Sequence, residues 1–318
     1  MVEPRRLRRL VELPRSVVSG AGSGAFVVAL SGGADSAAAA WLAVGSGRPT
    51  RAIHVHHGAL ASDRLQRASE EICRCLEIEL AVVRVDVPDG PSYEAQARRV
   101  RHDALAQGIE GDGWLVTGHT RDDQVETLFM RLIRGTGIDG LAGMGRSERP
   151  HLRPLLDVTR SDAREIATLA RLPWRDDPAN RDPRHLRNRV RREVMPMLES
   201  AFGPGVATSL FRTADVIRRD VQALEELAAQ IERRADQNIV ELSLPDLRAA
   251  DEAIAARAIR NAIRTIDPPY PPRAHVVDRA LDVIRGRSHR LDVGDLAVTR
   301  SGHWLRIELA EPSNSGQR

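Results

Sequence analysis

Three short stretches of this chain carry the residue types that chemistry needs. One is Ser31-Gly32-Gly33-Ala34-Asp35-Ser36, one is Asp122-Asp123 with Glu126, and one is residues 181–192, which hold six arginines against a single aspartate. Consecutive glycines let backbone amides approach a ligand closely, and a helix starting near Asp35 and Ser36 adds the positive end of its dipole. Such a loop suits a polyphosphate. Adjacent carboxylates suit Mg²⁺, a hard cation that shares its oxygen ligands with substrate phosphates. Dense arginines offer bidentate contacts to phosphate. Each stretch also has an ordinary structural reading: a capped turn, first-turn acids complementing a helix dipole, and a solvated linker.

The elements that must position these residues follow from hydrophobic patterning. Phe26, Val27, Val28 and Leu30 form an apolar run of strand length before the glycines, and the alanine-rich segment after Ser36 reads as helix. Strands at 51–55, 80–87 and 114–117 then alternate with helices at 62–76 and 92–107, and a further helix starts at Thr120. This β-α-β-α-β-α-β order predicts an α/β fold built on a doubly wound parallel sheet, with ligands at the carboxyl ends of its strands. In the helix after Thr120, Val125, Leu128, Phe129, Leu132 and Ile133 form one stripe. Helical rotation sets Asp122 toward that stripe, and Asp123, Glu126 and Thr127 at its flank. The first turn opens at the strand ends, so Asp122 and Asp123 face the glycine loop. Strand geometry sends His54 and His56 to one face and His57 to the other, with no carboxylate or cysteine nearby to complete a metal set. That strand end reads as lying beside a nucleotide, with His56 as a polar contact. Glu94, Arg98 and Arg101 share a helix face.

The inventory excludes whole classes. All 47 cations are arginines, so a Walker-type phosphate loop, a Schiff-base lysine and a biotin carrier are ruled out. A net charge of +3 with pI about 9.4 and clustered arginine points to a local anionic partner, nucleic acid first. No apolar run is long enough to span a bilayer and no signal-type apolar segment stands near Met1, which predicts a cytoplasmic protein without membrane contact. Cys73 and Cys75 are too few for a zinc ribbon and are expected reduced and buried.

The loop at 31–36 resembles the signature of the ATP pyrophosphatases, the PP-loop enzymes, and four further features narrow the resemblance. In order they are His54-Val55-His56-His57-Gly58; Gly118-His119-Thr120-Arg121-Asp122-Asp123-Gln124-Val125-Glu126-Thr127; Arg134-Gly135-Thr136-Gly137-Ile138-Asp139-Gly140-Leu141; and Arg153-Pro154-Leu155-Leu156 followed by Arg187-Asn188-Arg189-Val190-Arg191. Together they are similar to the motifs of tRNA(Ile)-lysidine synthetases over residues 26–198. Asn is usual in that family where His56 stands, and Tyr where His102 stands. The resemblance implies that residues 31–36 bind ATP, with His119, Asp123 and Glu126 as active-site residues. Asp35 and Asp123 become candidate Mg²⁺ ligands, Asp122, Asp123 and Glu126 candidate catalytic carboxylates, and Arg98, Arg101, Arg187, Asn188 and Arg191 candidate tRNA contacts. It implies further that ATP adenylates the wobble cytidine of the CAU anticodon of tRNA(Ile), and that L-lysine then displaces AMP. Discrimination against an amine one methylene shorter is expected to be limited to about 1–3 kcal/mol.

The expected organisation is a catalytic domain over 1–200, including a basic junction at 178–200, and a smaller, mainly helical tRNA-positioning domain over 201–318. The latter is expected to end in a β-hairpin turning at Ser301-Gly302, with a disordered tail at 311–318. A long helix with an apolar seam through Leu210, Ala214, Ile217, Val221, Leu224, Ala228 and Ile231 fits a brace or a homodimer contact. Rival readings are tRNA thiolation, synthetase-type amide transfer and a non-catalytic nucleotide sensor. The first needs differently spaced cysteines, the second leaves the motifs after Gly118 without a role, and the third has no use for three clustered acids.

Overall fold

The computed structural model describes residues 5–58, 60–85, 93–267, 272 and 274–309. The chain divides into two units, Met1–Arg218 and Arg219–Arg318. The expected tail at 311–318 lies outside the described residues.

In the first unit, α1 (Arg5–Ser19) precedes β1 (Phe26–Ala29), α2 (Ala34–Val44), β2 (Thr50–His56), α3 (Leu60–Leu76), β3 (Leu80–Arg84), α4 (Tyr93–Gln107) and β4 (Trp114–Val116). There follow α5 (Arg121–Ile133), α6 (Ile138–Leu141), β5 (Ser147–Glu148), β6 (His151–Leu152), α7 (Arg160–Leu169), α8 (Leu186–Arg189), α9 (Met195–Phe202) and α10 (Val206–Ala228), the last running across the unit boundary. The sheet order is β3-β2-β1-β4-β6-β5, parallel throughout except for the short edge strand β5. The doubly wound α/β sheet read from the sequence is therefore present. Its order reverses at β1, so the loops leaving β1 and β4 diverge to leave a crevice at their carboxyl ends.

Strands buried on both faces need apolar side chains throughout, and β1 and β4 supply them. One face is covered by α1, α2 and α7, where Ala37 to Ala40 are all fully buried and let α2 pack closely. On the other face Leu105 of α4 packs with Val27, Ile53 and Leu115. In α1, Leu7, Val11, Pro14 and Val18 are buried while Arg5, Arg6, Arg8 and Arg9 lie on the exposed side. Cys73 is buried, but Cys75 is exposed, against expectation. Residues two apart on a helix diverge by about 200°, so the pair cannot share a buried face.

The second unit closes on its own core. Its strands β7 (Arg233–Asp236), β8 (Ile239–Ser243), β9 (Arg290–Val293), β10 (Leu296–Ser301) and β11 (Trp304–Leu309) form an antiparallel sheet in the order β7-β8-β11-β10-β9. The expected hairpin is β10–β11, with Ser301 opposite Trp304, and it is extended by three further strands. α11 (Leu244–Ala249), α12 (Glu252–Ile266) and α13 (Ala274–Arg285) pack on this sheet through Leu247, Ile259, Ile263 and Val277. Among the described residues no helix is long and apolar enough to cross a membrane.

Candidate active site

The chain leaving β1 turns through Ser31, Gly32 and Gly33 into α2. Gly32 has φ +83°, and a Cβ there would lie 2.4 Å from the Leu65 carbonyl oxygen, so only glycine makes this turn. Ser36 fastens the loop, its Oγ donating to the Gly33 carbonyl at 2.9 Å and accepting from the Ser31 amide at 3.1 Å. From outside, the Arg175 amide donates to the Gly32 carbonyl at 2.9 Å. Gly33 is the N-cap of α2 and no side chain caps that helix. A Cβ added at Gly33 would meet nothing nearer than Ser31 Oγ at 3.5 Å, so packing does not demand glycine there. Its bareness leaves an open, amide-lined surface at the positive end of α2, including Ala34 and Asp35, which is where an anion binds.

The facing wall is the loop from β4 into α5. At Gly118 a Cβ would stand 2.6 Å from the Asp35 carbonyl, so this glycine lets the second loop press onto the first. Asp123 then works in two directions. Its Oδ2 accepts from both the amide and the hydroxyl of Thr120 at 2.8 Å, closing the first turn of α5. Its Oδ1 faces arginines, 2.8 Å from Arg160 Nη2 and 3.2 Å from Arg187 Nη2. One turn on, Glu126 is 2% exposed and accepts from Arg187 Nε at 2.7 Å, Arg191 Nε at 2.6 Å and Arg160 Nη1 at 3.3 Å. Arg160 Nε also lies 3.6 Å from Asp35 Oδ2, joining the glycine loop to the acidic helix. Three guanidinium groups thus meet three carboxylates.

This corrects the expected roll of α5. Asp123 and Glu126 are buried, Asp122 is partly exposed, and Leu132 and Ile133 are exposed. A helix turns its acids inward when cations from elsewhere compensate them, and here the start of α7 and the basic run at 181–192 bring those cations.

The electrostatics are uneven. Burial, then the charge on Asp123, raises the Asp35 carboxyl to about 6 against the pull of Arg160. Asp35 Oδ1 is buried without a hydrogen-bond partner. Burial pushes Asp123 upward too, but Arg160, Arg187 and His119 outweigh it and hold this carboxyl well below the ordinary range. Burial lowers His119 to about 4, with Arg153 and Arg187 adding to the effect and Asp123 opposing it, and its Nδ1 lies 2.8 Å from Thr117 Oγ1. Among the described residues no group of three or more His, Cys, Asp or Glu side chains is arranged to hold a metal alone. Two carboxylates with one orphaned oxygen nevertheless fit Mg²⁺, which is commonly held by one or two carboxylates plus substrate phosphates.

The other sequence-derived residues divide. His56 is buried with both ring nitrogens engaged, Nε2 2.9 Å from Asp63 Oδ1 and Nδ1 accepting from the Gly58 amide at 3.1 Å, so it fastens the end of β2 to α3. His54 Nδ1 lies 2.9 Å from the Leu30 carbonyl and supports the end of β1. Asp122 Oδ2 accepts from the Arg160 amide at 2.8 Å. Asn188 is buried and donates to the carbonyls of Ala179 at 3.0 Å and Asp182 at 2.8 Å, folding the basic junction on itself. Arg187 and Arg191 turn into the acidic centre. Arg101 projects from α4, where its charge adds to the depression of His57 and His119. The side chain of Arg98 lies outside the described residues. Sequence reasoning missed Arg160. The signal was Thr159-Arg160-Ser161-Asp162, a capping box opening a helix shortly after Arg153-Pro154-Leu155-Leu156.

Comparison with known proteins bears on the family and the fold. A PP-loop domain model matches residues 4–198. The chain is 44% identical over 239 residues to the tRNA(Ile)-lysidine synthase of Salinispora arenicola, covering 70% of each sequence. It is 36% identical over 300 residues to the tRNA(Ile)-lysidine synthase of Streptomyces coelicolor, covering 88% of this chain and 84% of that one. Among solved structures, a U34-tRNA thiolase from Methanococcus maripaludis with its [4Fe-4S] cluster superposes with a TM-score of 0.50 at 20% identity, over 67% of this chain and 80% of that one, a likeness of fold.

Proposed function

The chain belongs to the tRNA(Ile)-lysidine synthase family of PP-loop proteins, and from that premise we propose how its site forms lysidine on tRNA(Ile). The O2 oxygen of the wobble cytidine in the CAU anticodon attacks the α-phosphorus of ATP, the bond to the β-phosphate oxygen breaks, and pyrophosphate leaves. The neutral ε-amine of L-lysine then attacks carbon 2, the carbon–oxygen bond to AMP breaks, and the new nitrogen gives up its proton.

Gly33 and the first amides of α2 cradle the polyphosphate. Asp35 and Asp123 are the residues that would hold Mg²⁺, which when bound neutralises charge growing on the leaving pyrophosphate. Asp123 and Glu126 receive the lysine amine, and His119, neutral at pH 7, hydrogen-bonds the nucleotide. Arg187 and Arg191 exchange their carboxylate partners for phosphate oxygens as ATP and tRNA arrive, with Arg101 among the further tRNA contacts. We assign the unit from Arg219 onward to positioning tRNA.

The observation that carries this reading is the meeting, where β1 and β4 diverge, of an uncapped helix start with three carboxylates screened by three arginines. A thiolation reading gains nothing from the cysteines, since burial pushes the Cys73 thiol up to about 11 and Cys75 is exposed. The deciding experiment measures pyrophosphate release from ATP with tRNA(Ile) bearing a CAU anticodon, with and without lysine. Release that needs tRNA, with lysidine formed only when lysine is added, is expected; release that ignores tRNA or requires ammonia refutes the reading.

A further inference from the structure

Three acidic residues open α5 within one turn and a half, yet they are not alike. Asp123 and Glu126 are buried among guanidinium groups, whereas Asp122 is partly exposed and its Oδ2 accepts the Arg160 amide at 2.8 Å. Arg160 is the first residue of α7. The amides of a first helical turn have no partner within their own helix and need an external acceptor. Thr159 and Asp162 satisfy one another in the capping box of α7, and Asp122 supplies the acceptor for the Arg160 amide from another helix. A carboxylate there also complements the α7 dipole.

The same seam is stitched on either side of this bond. The Arg121 amide donates to the Val158 carbonyl at 2.9 Å, and the Arg121 guanidinium donates to the Asp157 carbonyl. The start of α5 and the start of α7 are therefore joined by three hydrogen bonds spanning Asp157 to Arg160 and Arg121 to Asp122. Beyond that seam the Arg160 side chain is aimed, 18% exposed, to within 2.8 Å of Asp123 Oδ1, 3.3 Å of Glu126 Oε1 and 3.6 Å of Asp35 Oδ2. One guanidinium thus reaches the glycine loop and the acidic helix together.

We propose that Asp122 is a positioning residue and not a reacting one: it seats the Arg160 amide, and Arg160 in turn holds the nucleotide loop at Asp35 in register with Asp123 and Glu126. The proposal rests on the functional reading only in taking Asp123 and Glu126 as the carboxylates that meet substrate. It makes a distinction that no count of acidic residues makes. A carboxylate that reacts or binds metal needs its charge, whereas an acceptor for one amide needs only an oxygen. Asparagine keeps that oxygen, alanine removes it, and lysine at 160 keeps the charge of Arg160 without the fork that reaches two helices.

The test compares full-length Asp122→Asn, Asp122→Ala, Arg160→Lys and Asp123→Asn for kcat and KM in tRNA-dependent pyrophosphate release, with hydrogen–deuterium exchange over residues 158–164 read alongside. Asp122→Asn is expected within about threefold of the wild type in kcat and with unchanged exchange, since an amide oxygen takes the place of the carboxylate oxygen as the acceptor. Asp122→Ala is expected to lose about tenfold or more in kcat and to exchange faster over 158–164, because small misplacements of catalytic groups are costly. Arg160→Lys should fall between Asp122→Asn and Asp123→Asn. An Asp122→Asn enzyme as inactive as Asp123→Asn overturns the proposal, and so does an Asp122→Ala enzyme with wild-type kcat and wild-type exchange. A wild-type protein inert with tRNA and lysine would refute the functional reading instead, and the exchange arm would still decide whether Asp122 seats α7.

Discussion

Arg191 holds Glu126 by both carboxylate oxygens, with Nε 2.6 Å from Oε1 and Nη2 3.0 Å from Oε2, while Arg187 Nε lies 2.7 Å from that same Oε2. Glu126 is deeply buried and meets three arginines, and removing one partner of such a buried cluster is costly. The arrangement stores two largely desolvated guanidinium groups beside the glycine loop. A phosphate oxygen competes for the same donors that Glu126 now occupies. Arrival of an anion and release of a carboxylate are thereby linked.

That linkage makes lysine binding depend on nucleotide. With Arg187 and Arg191 on Glu126, the ammonium of lysine meets an acidic centre already neutralised. A non-hydrolysable ATP analogue with Mg²⁺ should therefore tighten lysine binding by about fivefold or more, and lysine should tighten the analogue by the same factor, as linkage requires. Calorimetric titrations in both orders check this, and lysine affinity unaffected by the analogue removes the exchange of partners.

Replacing Arg187 and Arg191 together by alanine should weaken tRNA binding and flatten its salt dependence. Every arginine–phosphate pair that is removed lowers the slope of log affinity against log salt by about 0.9, so the double variant should lose up to about two units of slope. Binding isotherms from low to moderate salt measure this directly. Identical affinity at every salt concentration would confine both arginines to the interior of the site.

Asp123→Asn should stop lysidine formation and spare tRNA binding. Asparagine retains an oxygen for the Thr120 amide and hydroxyl, so the start of α5 is kept. What disappears is the charge that faces Arg160 and Arg187 and that would help hold Mg²⁺. Turnover should drop by about a hundredfold or more, in the range seen when preorganised charge is removed from an active site. An equal loss of tRNA affinity in a gel-shift assay would assign Asp123 to recognition.

The sheet and the glycine loop were legible because their physics is local. A strand buried on both faces must be apolar throughout, as Phe26 to Ala29 are, and a backbone held at positive φ selects glycine, as at Gly32. The roll of α5 was not local. Its own periodicity made Leu132 and Ile133 part of a core stripe and put Asp123 and Glu126 on the flank, yet Arg160, Arg187 and Arg191 reverse that placement from two other segments. The arginine run gave the right chemistry, but nothing in its composition told whether those forks faced solvent or the acids of α5. In the second unit β7 escaped notice because Arg233 to Asp236 are all exposed, so no alternation marks them.

The two loop glycines should separate folding from ligand binding. Gly32→Ala forces a Cβ onto the Leu65 carbonyl at 2.4 Å and a side chain into positive φ, so the variant should lose about 1–3 kcal/mol of stability. Gly33→Ala has room in the fold and should melt within about 2 °C of the wild type, since its methyl group displaces nothing. That methyl group nevertheless stands on the amide-lined surface where the phosphates approach, and KM for ATP should rise at least about tenfold. Thermal melts and ATP saturation curves on both variants check the contrast, and an unchanged KM in Gly33→Ala would move the nucleotide off this loop.

Stability should also carry a signature of the neutral histidines. Burial, then Arg153 and the neighbouring His102, lowers His151 from 6.5 to about 4, and His119 is lowered to about 4 as well. Between pH 6.5 and 4 the unfolded chain takes up protons at these positions that the folded chain refuses, so folding stability falls as pH drops through that window. Asp35 works the other way, because its carboxyl is raised from 3.8 to about 6 and the folded chain binds its proton first. Burial lowers His54 and His57 as well, so four histidines oppose one carboxyl, and the net loss with acid should be visible in urea titrations at pH 7, 6 and 5. His151→Asn isolates the contribution farthest from the acidic centre: it should flatten the decline between pH 6.5 and 5 while leaving stability at pH 7.5 close to that of the wild type. A decline as steep in the variant as in the wild type would mean that His151 accepts its proton in the folded state as readily as in the unfolded chain.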